Sequence, residues 1–185
     1  MKETQVGHHK GNSTEQLLNK ELILKTLNIF PGQIILDVGC GNGYMTKEFS
    51  RVLKDTGKVY ALDRAKEVIE RLKKETQGTN ISPIIADITQ QVALTDSSID
   101  LIYLSTVFHI FSDEQREKFQ YEVRRLLKPE GMLAIVEIDK KDTPFGPPEN
   151  MRLSPEELRH IIKISPSLLV KVGEHFYMQL FRNKK

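Results

Sequence analysis

The chain has one cysteine, little net charge and no long apolar run, and each of these absences excludes a class of protein. A single cysteine allows no internal disulfide and favours a cytoplasmic location. The longest nearly apolar stretch, residues 101–111, is far shorter than the roughly 20 residues that cross a bilayer. The first dozen residues are too polar to form a secretory signal. We therefore expect no membrane segment.

Charge and histidine content exclude two further classes. A net charge of +2 over 185 residues is too small to indicate a surface for nucleic acid. The five histidines show no spacing typical of a metal site. The length and the 39% apolar content fit one domain with a sizeable core. The sequence thus predicts a single domain over residues 1–185, without a metal.

Short apolar runs alternate with amphipathic segments, the pattern of a parallel sheet covered by helices on both faces. The runs predict strands over 34–38, 58–62, 84–86, 99–104 and 132–138, and a closing hairpin over 168–172 and 176–181. A capping box at Ser13 and Gln16 predicts a first helix of about four turns. Ser154 and Pro155 predict a long last helix. We expect an α/β fold: a three-layer, Rossmann-like, doubly wound sheet, mostly parallel, with an antiparallel C-terminal strand.

The first predicted strand runs into a glycine-rich bend. Asp37 is followed at alternate positions by Gly39, Gly41 and Gly43. Glycines after a strand let a ligand lie against bare backbone, because no Cβ stands in the way. The dinucleotide fingerprint G-x-G-x-x-G would need a glycine where Tyr44 stands. The bend therefore predicts a nucleoside ligand and argues against a nicotinamide oxidoreductase, although a plain tight turn is the structural alternative.

Carboxylates follow the next two predicted strands, at the edge where ligands of open α/β sheets bind. Asp63 ends the second strand and can accept hydrogen bonds from the two hydroxyls of a ribose. Asp87 follows the third strand and can accept the exocyclic amine of adenine, while Ile88 covers the ring. The alternatives are a helix-capping Asp63 and an ordinary loop Asp87. Cys40, within the glycine bend, is either a reactive thiol or a small filler, and the absence of a nearby base favours the filler.

These motifs, in this order, resemble those of class I S-adenosylmethionine-dependent methyltransferases, including the branch of ubiquinone and menaquinone biosynthesis. The resemblance covers roughly residues 16–140, with D-x-G-x-G-x-G as its first signature and Lys128–Gly131 similar to the turn before the fifth strand. It implies S-adenosylmethionine as methyl donor and S-adenosylhomocysteine as product. The implied binding residues are Asp37, Gly39, Cys40, Gly41, Asn42, Gly43, Asp63, Arg64, Asp87, Ile88 and Ser105.

The sequence indicates the methyl acceptor less clearly than it indicates the methyl donor. His109, after the fourth strand, is the candidate general base, with a packed histidine as the alternative. A proline-bearing loop over residues 139–153 leaves the fifth strand on the same edge, where Phe145 and Met151 can line a pocket and Arg152 can meet a carboxylate or phosphate. The pocket is then shallow, covered by residues 1–12 as a flexible arm or lid that carries His8 and His9, or completed by a second subunit in a homodimer.

Missing motifs narrow the acceptor classes. Residues 104–107 replace the N/D-P-P-Y/F motif of enzymes that methylate amino groups of nucleic-acid bases. Cytosine-C5 enzymes need a Pro-Cys nucleophile, and this chain has only Cys40. Ser105 stands where catechol enzymes need a metal-binding carboxylate. We therefore expect direct methyl transfer to a small molecule, with RNA or protein methylation as the first alternative and a non-catalytic S-adenosylmethionine-binding module as the second.

Overall fold

The computed structural model describes residues 14–184, which contain a seven-stranded sheet with helices on both faces. The strands are β1 Ile34–Val38, β2 Lys58–Asp63, β3 Ile81–Ile85, β4 Ile99–Ser105, β5 Leu127–Ile138, β6 Ser165–Gly173 and β7 Phe176–Arg182. The helices are α1 Lys20–Leu27, α2 Tyr44–Leu53, α3 Lys66–Glu75, α4 Asp113–Leu126 and α5 Pro155–Ile161. The strand order is β3-β2-β1-β4-β5-β7-β6, parallel up to β5, with β7 antiparallel to both of its neighbours. The predicted fold class is confirmed.

The sequences of the strands are apolar runs because both faces of the sheet are buried. Successive residues of β1 show this, since Ile35 packs in the hydrophobic cluster that includes Phe49 of α2. Leu36 packs in the opposite cluster, which includes Phe119 of α4. All four side chains are fully buried. A strand in this position needs apolar residues at every site rather than at alternate ones.

The first helix begins later than the sequence predicts, and the prediction of about four turns was wrong, because α1 has eight residues, or about two turns. A short 3-10 turn over Thr14–Leu17 comes first, and α1 then starts at Lys20. The side chain of Asn19 accepts a hydrogen bond from the amide of Leu22 at 2.9 Å and so caps the helix. The expected capping box begins at Ser13, which lies outside the described residues.

The last helix starts where predicted but is short. Ser154 and Glu157 form the complete capping box, in which each side chain bonds the backbone amide of the other residue. The helix ends at Ile161 after seven residues, so the prediction of a long helix was wrong. The chain then extends into β6, whose residues pair with β7. Tertiary pairing here overrides local helix preference.

The fifth strand starts earlier than predicted, at Leu127 rather than Met132. Residues 128–131 were expected to form a turn, yet Glu130 donates its amide hydrogen to the carbonyl of Asn183 at 2.8 Å. Asn183 returns a bond of 2.9 Å to the carbonyl of Gly131. The segment nevertheless turns within β5, because Glu130 has a φ of +61° and the register with β4 passes from Leu127 to Met132. Pairing with the end of the chain satisfies the backbone of this polar turn.

The third strand also begins earlier, at Ile81, and includes Pro83. β3 lies at one edge of the sheet. The amide of Val59 donates to Asn80, and the amide of Ala86 donates to Asp63, both at 3.1 Å. Because alternate residues of a strand face the neighbour, the nitrogen of Pro83 lies on the open side of the edge, where no hydrogen is needed.

The sheet order places the predicted residues where a ligand site is expected. β1 lies between β2 and β4, which is the point at which the chain changes direction across the sheet. Ligands of open α/β sheets bind at this point, outside the carboxyl ends of the strands. No helix within residues 14–184 is both long and apolar enough to cross a membrane.

Candidate functional site

The glycine bend between β1 and α2 uses backbone angles that favour glycine. Gly39, Gly41 and Gly43 have φ values of +69°, +53° and +79°. A Cβ on Gly39 would lie 2.5 Å from the Cγ2 atom of Val107, and one on Gly43 would lie 2.4 Å from the Cδ1 atom of Leu72. A Cβ on Gly41 would meet no atom within 4 Å. Packing therefore explains two of the glycines, while the third borders open space.

Backbone hydrogen bonds fix this bend against the neighbouring strand. The amides of Gly39 and Cys40 both donate to the carbonyl of Leu62 in β2, at 2.7 and 3.1 Å. The side chain of Asn42 accepts the amide of Tyr44 at 2.9 Å, at the start of α2. The bend is thus held in place by groups of the protein itself.

Two of the predicted carboxylates organise the bend from either side. Asp37 is buried and accepts the hydroxyl of Thr46 at 2.5 Å. Asp63 accepts the amide of Gly41 at 3.1 Å through one oxygen and the amide of Ala65 at 2.9 Å through the other. Asp63 therefore links the glycine bend to Ala65, the residue before α3, but it does not cap that helix, which has no side-chain cap bond.

The third carboxylate, Asp87, forms hydrogen bonds within its own loop through one of its two oxygens. One oxygen accepts the amide and the hydroxyl of Thr89 at 2.9 and 2.8 Å. The other oxygen lies 3.6 Å from the guanidinium of Arg64, whose side chain is largely exposed. The next residue, Ile88, is buried. The loop thus presents one carboxylate oxygen beside an apolar side chain.

Two clefts open on either side of the glycine bend and share Gly39. The Asp63 cleft has a volume of about 180 Å³ and is lined by Val38, Gly39, Leu62, Asp63, Arg64, Asp87, Ile88, Val107, Ile110 and Phe111. The Asp37 cleft has a volume of about 190 Å³ and is lined by Leu18, Asp37, Gly39, Cys40, Gly41, Met45, Tyr103, Ser105 and Thr106. All the predicted binding residues except Asn42 and Gly43 line one cleft or the other.

Two larger grooves, of about 520 and 580 Å³, are lined by other residues. The first is lined by residues such as Phe30, Gly131 and Arg182, and the second by residues of α4 and α5. Neither is bordered by the glycine bend or by the three strand-end carboxylates. Convergent polar groups define a ligand site better than volume does, so the paired clefts remain the candidate site.

The thiol of Cys40 is unsuited to nucleophilic chemistry. Burial raises its pKa well above the ordinary range, and the nearby carboxylates of Asp37 and Asp63 raise it further. A nucleophilic cysteine needs the opposite environment, because the thiolate is the reactive form. The geometry supports the filler interpretation.

Tyr103 forms part of the wall of the Asp37 cleft, although no sequence motif indicates this residue. Its ring is buried and packs edge-on against Phe49, with 5.2 Å between ring centres. Its hydroxyl is buried without a hydrogen-bond partner of good geometry among residues 14–184. Burial, and then the carboxylate of Asp37, raise the pKa of Tyr103, so the hydroxyl stays protonated.

His109 lies in a 3-10 turn after β4 and is held by a glutamate that the sequence analysis missed. Its Nδ1 lies 2.8 Å from Oε2 of Glu137, and its amide donates to Oε1 of the same side chain at 3.1 Å. Glu137 is buried near the end of β5. His109 lines neither cleft. No group of three or more His, Cys, Asp or Glu within residues 14–184 is arranged to hold a metal ion.

The loop over residues 139–153 is ordered around Arg152, and the expectation that Arg152 meets a carboxylate or phosphate was wrong. The guanidinium is buried and donates to one hydroxyl and to four backbone carbonyls of the loop. Phe145 stacks on Phe176 with 5.8 Å between ring centres, while Met151 is half exposed. The expected arm, with His8 and His9, lies outside the described residues.

Comparisons with known proteins agree with this geometry. A family model described as a methyltransferase domain matches residues 35–131, just over half of the chain. The chain is 30% identical over 130 residues to the ubiquinone/menaquinone biosynthesis C-methyltransferase UbiE of Hydrogenovibrio crunogenus. This match covers 68% of this chain and 50% of that protein. It is 31% identical over 119 residues to phosphoethanolamine N-methyltransferase 1 of Triticum aestivum. This match covers 62% of this chain and 23% of that protein. The chain thus spans half or less of the length of these curated relatives.

Among solved structures, the chain is similar to a SAM-dependent methyltransferase from Aquifex aeolicus. The TM-score is 0.83 at 27% identity, and the match covers 93% of each chain. The family model begins within β1 and spans the glycine bend, Asp63 and Asp87, which are the features that build the two clefts. The chain therefore belongs to the class I S-adenosylmethionine-dependent methyltransferases.

Proposed function

We propose that residues 14–184 act as one methyltransferase domain that transfers a methyl group from S-adenosylmethionine to a small-molecule acceptor. The observation that carries this proposal is the pair of clefts that meet at Gly39. The Asp63 cleft suits the adenosine half of the methyl donor, and the Asp37 cleft suits the methionine half. The open space beside Gly41 allows close approach of a ligand to the backbone.

Asp63 is preorganised to bind a ribose. A carboxylate has about four acceptor positions, and the amides of Gly41 and Ala65 occupy one on each oxygen. One acceptor position on each oxygen therefore remains for a hydroxyl of the ribose. Because the two amides already fix the plane of the carboxylate, binding requires little ordering of this side chain.

Asp87 and Ile88 supply the surface for the base. The Asp87 oxygen that faces Arg64 can accept the exocyclic amine of adenine, while the oxygen bonded to Thr89 fixes the loop. Ile88 and Phe111 contribute apolar walls to the same cleft. This combination of one acceptor with apolar contacts suits a flat, partly polar ring.

The protein's main contribution to the reaction is alignment. When bound, S-adenosylmethionine supplies an electrophilic methyl group on a sulfonium, which leaves as a neutral thioether. Holding the acceptor in line with that methyl provides much of the rate enhancement. His109 is our candidate general base, because the bond between its Nδ1 and Glu137 leaves Nε2 as the nitrogen that can take a proton.

We propose that the acceptor binds beside the Asp37 cleft, next to the loop over residues 139–153. Both clefts are small, so residues 1–12 or a second copy of the chain would complete an enclosed pocket. One of the two curated relatives is named as a C-methyltransferase of ubiquinone and menaquinone biosynthesis. The other is named as an N-methyltransferase of phosphoethanolamine. Their names support a small-molecule acceptor without selecting its chemistry.

Calorimetric titration with S-adenosylhomocysteine, beside NAD, tests the cofactor assignment. We expect micromolar binding of S-adenosylhomocysteine and no binding of NAD. The Asp63→Asn variant removes one charged acceptor and should weaken S-adenosylhomocysteine binding by about tenfold or more. Asp55→Asn, at an exposed turn away from both clefts, is the matched control and should bind normally. Preference for NAD, or an unchanged affinity in Asp63→Asn, contradicts the proposal.

A further inference from the structure

The Asp37 cleft has a polar atom in its wall that the fold leaves without a partner. The hydroxyl of Tyr103 is fully buried and makes no hydrogen bond of good geometry within residues 14–184. The other fully buried tyrosine, Tyr177, behaves differently, because its hydroxyl donates to the carbonyl of Leu153 at 2.7 Å. Two tyrosines of similar burial thus differ in whether the fold gives the hydroxyl a regular hydrogen bond.

Packing explains the ring of Tyr103 but not its hydroxyl. The ring contacts Phe49 edge-on, an arrangement that a phenylalanine at this position would preserve. Burying a hydroxyl without a partner destabilises the fold, because the group loses its bonds to water and gains none in return. The hydroxyl therefore calls for a partner that arrives from outside the fold.

The charge of the cleft indicates which kind of group this partner carries. The lining contains the carboxylate of Asp37 and the backbone of the glycine bend, but no lysine, arginine or histidine among the described residues. Asp37 acts electrostatically on the Tyr103 hydroxyl, and the side chain of Ser105 interacts with it weakly, outside the geometry of a regular hydrogen bond. Within residues 14–184, the lining thus has a carboxylate and hydroxyls but no cationic side chain, a combination that suits a positively charged ligand group.

We propose that the oxygen of Tyr103 accepts a hydrogen bond from the α-ammonium group at the methionine end of the cofactor, beside the carboxylate of Asp37. This assignment rests on the proposed function and adds a binding residue that the sequence motifs do not contain. The hydroxyl is covered in the described structure, so a ligand must displace a neighbouring side chain to reach it. Leu18, from the segment before α1, lines the same cleft.

The test compares Tyr103→Phe with Tyr177→Phe by calorimetry and thermal melting. Three ligands separate the contributions: S-adenosylhomocysteine, its analogue lacking only the α-amino group, and 5′-methylthioadenosine, which lacks the whole amino-acid portion. Tyr103→Phe should weaken S-adenosylhomocysteine binding by about tenfold, as expected for a hydrogen bond to a charged group. It should change the affinity of the other two ligands by less than twofold. Its melting temperature should equal or exceed that of the parent chain.

Tyr177→Phe is the matched control, and it should melt at a lower temperature while binding all three ligands normally. An unchanged affinity of Tyr103→Phe for S-adenosylhomocysteine overturns the assignment, and so does an equal loss for the analogue without the amino group. A lowered melting temperature of Tyr103→Phe also overturns it, because the hydroxyl would then already have an internal partner. Failure of the parent chain to bind S-adenosylhomocysteine instead refutes the proposed function.

Discussion

An alanine at Gly41 should weaken cofactor binding at least tenfold while leaving the fold largely intact. Its φ of +53° lies in the left-handed region, which costs an L-residue about 1–2 kcal/mol. The new Cβ would meet no atom within 4 Å, so no packing cost is added. For a chain of this size we expect the melting temperature to fall by about 2–8 °C.

Gly39→Ala provides the matched comparison in the same bend. Its φ of +69° carries a similar backbone cost. Its Cβ would also lie 2.5 Å from the Cγ2 atom of Val107, at least about 1 Å inside the usual carbon contact of about 3.5–4.0 Å. Overpacking of this kind costs about 1–3 kcal/mol more. The free energy of unfolding should therefore fall by about 2–5 kcal/mol in Gly39→Ala and by about 1–2 kcal/mol in Gly41→Ala.

Urea denaturation measures the two free energies of unfolding, and calorimetry measures the affinity for S-adenosylhomocysteine. Gly41→Ala should bind at least tenfold more weakly although most of its stability is retained, because the Cβ occupies space that we assign to the ligand. If Gly41→Ala binds as tightly as the parent chain, the ligand does not lie over this glycine. If the two variants lose equal stability, the packing argument for Gly39 is wrong.

Two further predictions concern groups buried in and beside the site. Arg152→Met keeps an unbranched stem but removes the guanidinium and leaves several loop carbonyls without donors, so the free energy of unfolding in urea should fall by about 3 kcal/mol. A loss below about 1 kcal/mol contradicts this role. Because burial raises the pKa of Cys40, iodoacetamide at pH 8 should modify the native thiol at least tenfold more slowly than the thiol of the urea-unfolded chain. Equal rates in the two states would mean that the thiol is accessible and ionised in the native protein.

The sequence predicted the parts of the fold and site that depend on local chemistry. Short apolar runs located the parallel strands, and acidic residues at the end of β2 and two residues beyond β3 indicated which side chains meet at the carboxyl edge. The capping box at Ser154 also formed as predicted. These signals are readable because the relevant groups lie within a few residues of one another along the chain.

The features that the sequence did not predict depend on contacts between distant segments. Glu137 contacts His109 from another element, 28 residues away. Tyr103 resembles any buried strand residue until the lack of a partner for its hydroxyl becomes visible in three dimensions. Arg152 was expected to bind an anion, because a one-dimensional pattern cannot show that loop carbonyls surround the guanidinium. The length of α5 was overestimated because β6 competes for the same residues.

The prolines in the edge strands restrict how copies of this chain can associate. β3 and β6 form the two edges of the sheet, and they contain Pro83 and Pro166. A proline on the open side of an edge strand offers no hydrogen to an incoming strand, so it interrupts the ladder that edge-to-edge aggregation requires. At the β3 edge, a continuous intermolecular sheet is disfavoured even at high protein concentration, and a second copy would have to dock there through side chains rather than through backbone pairing.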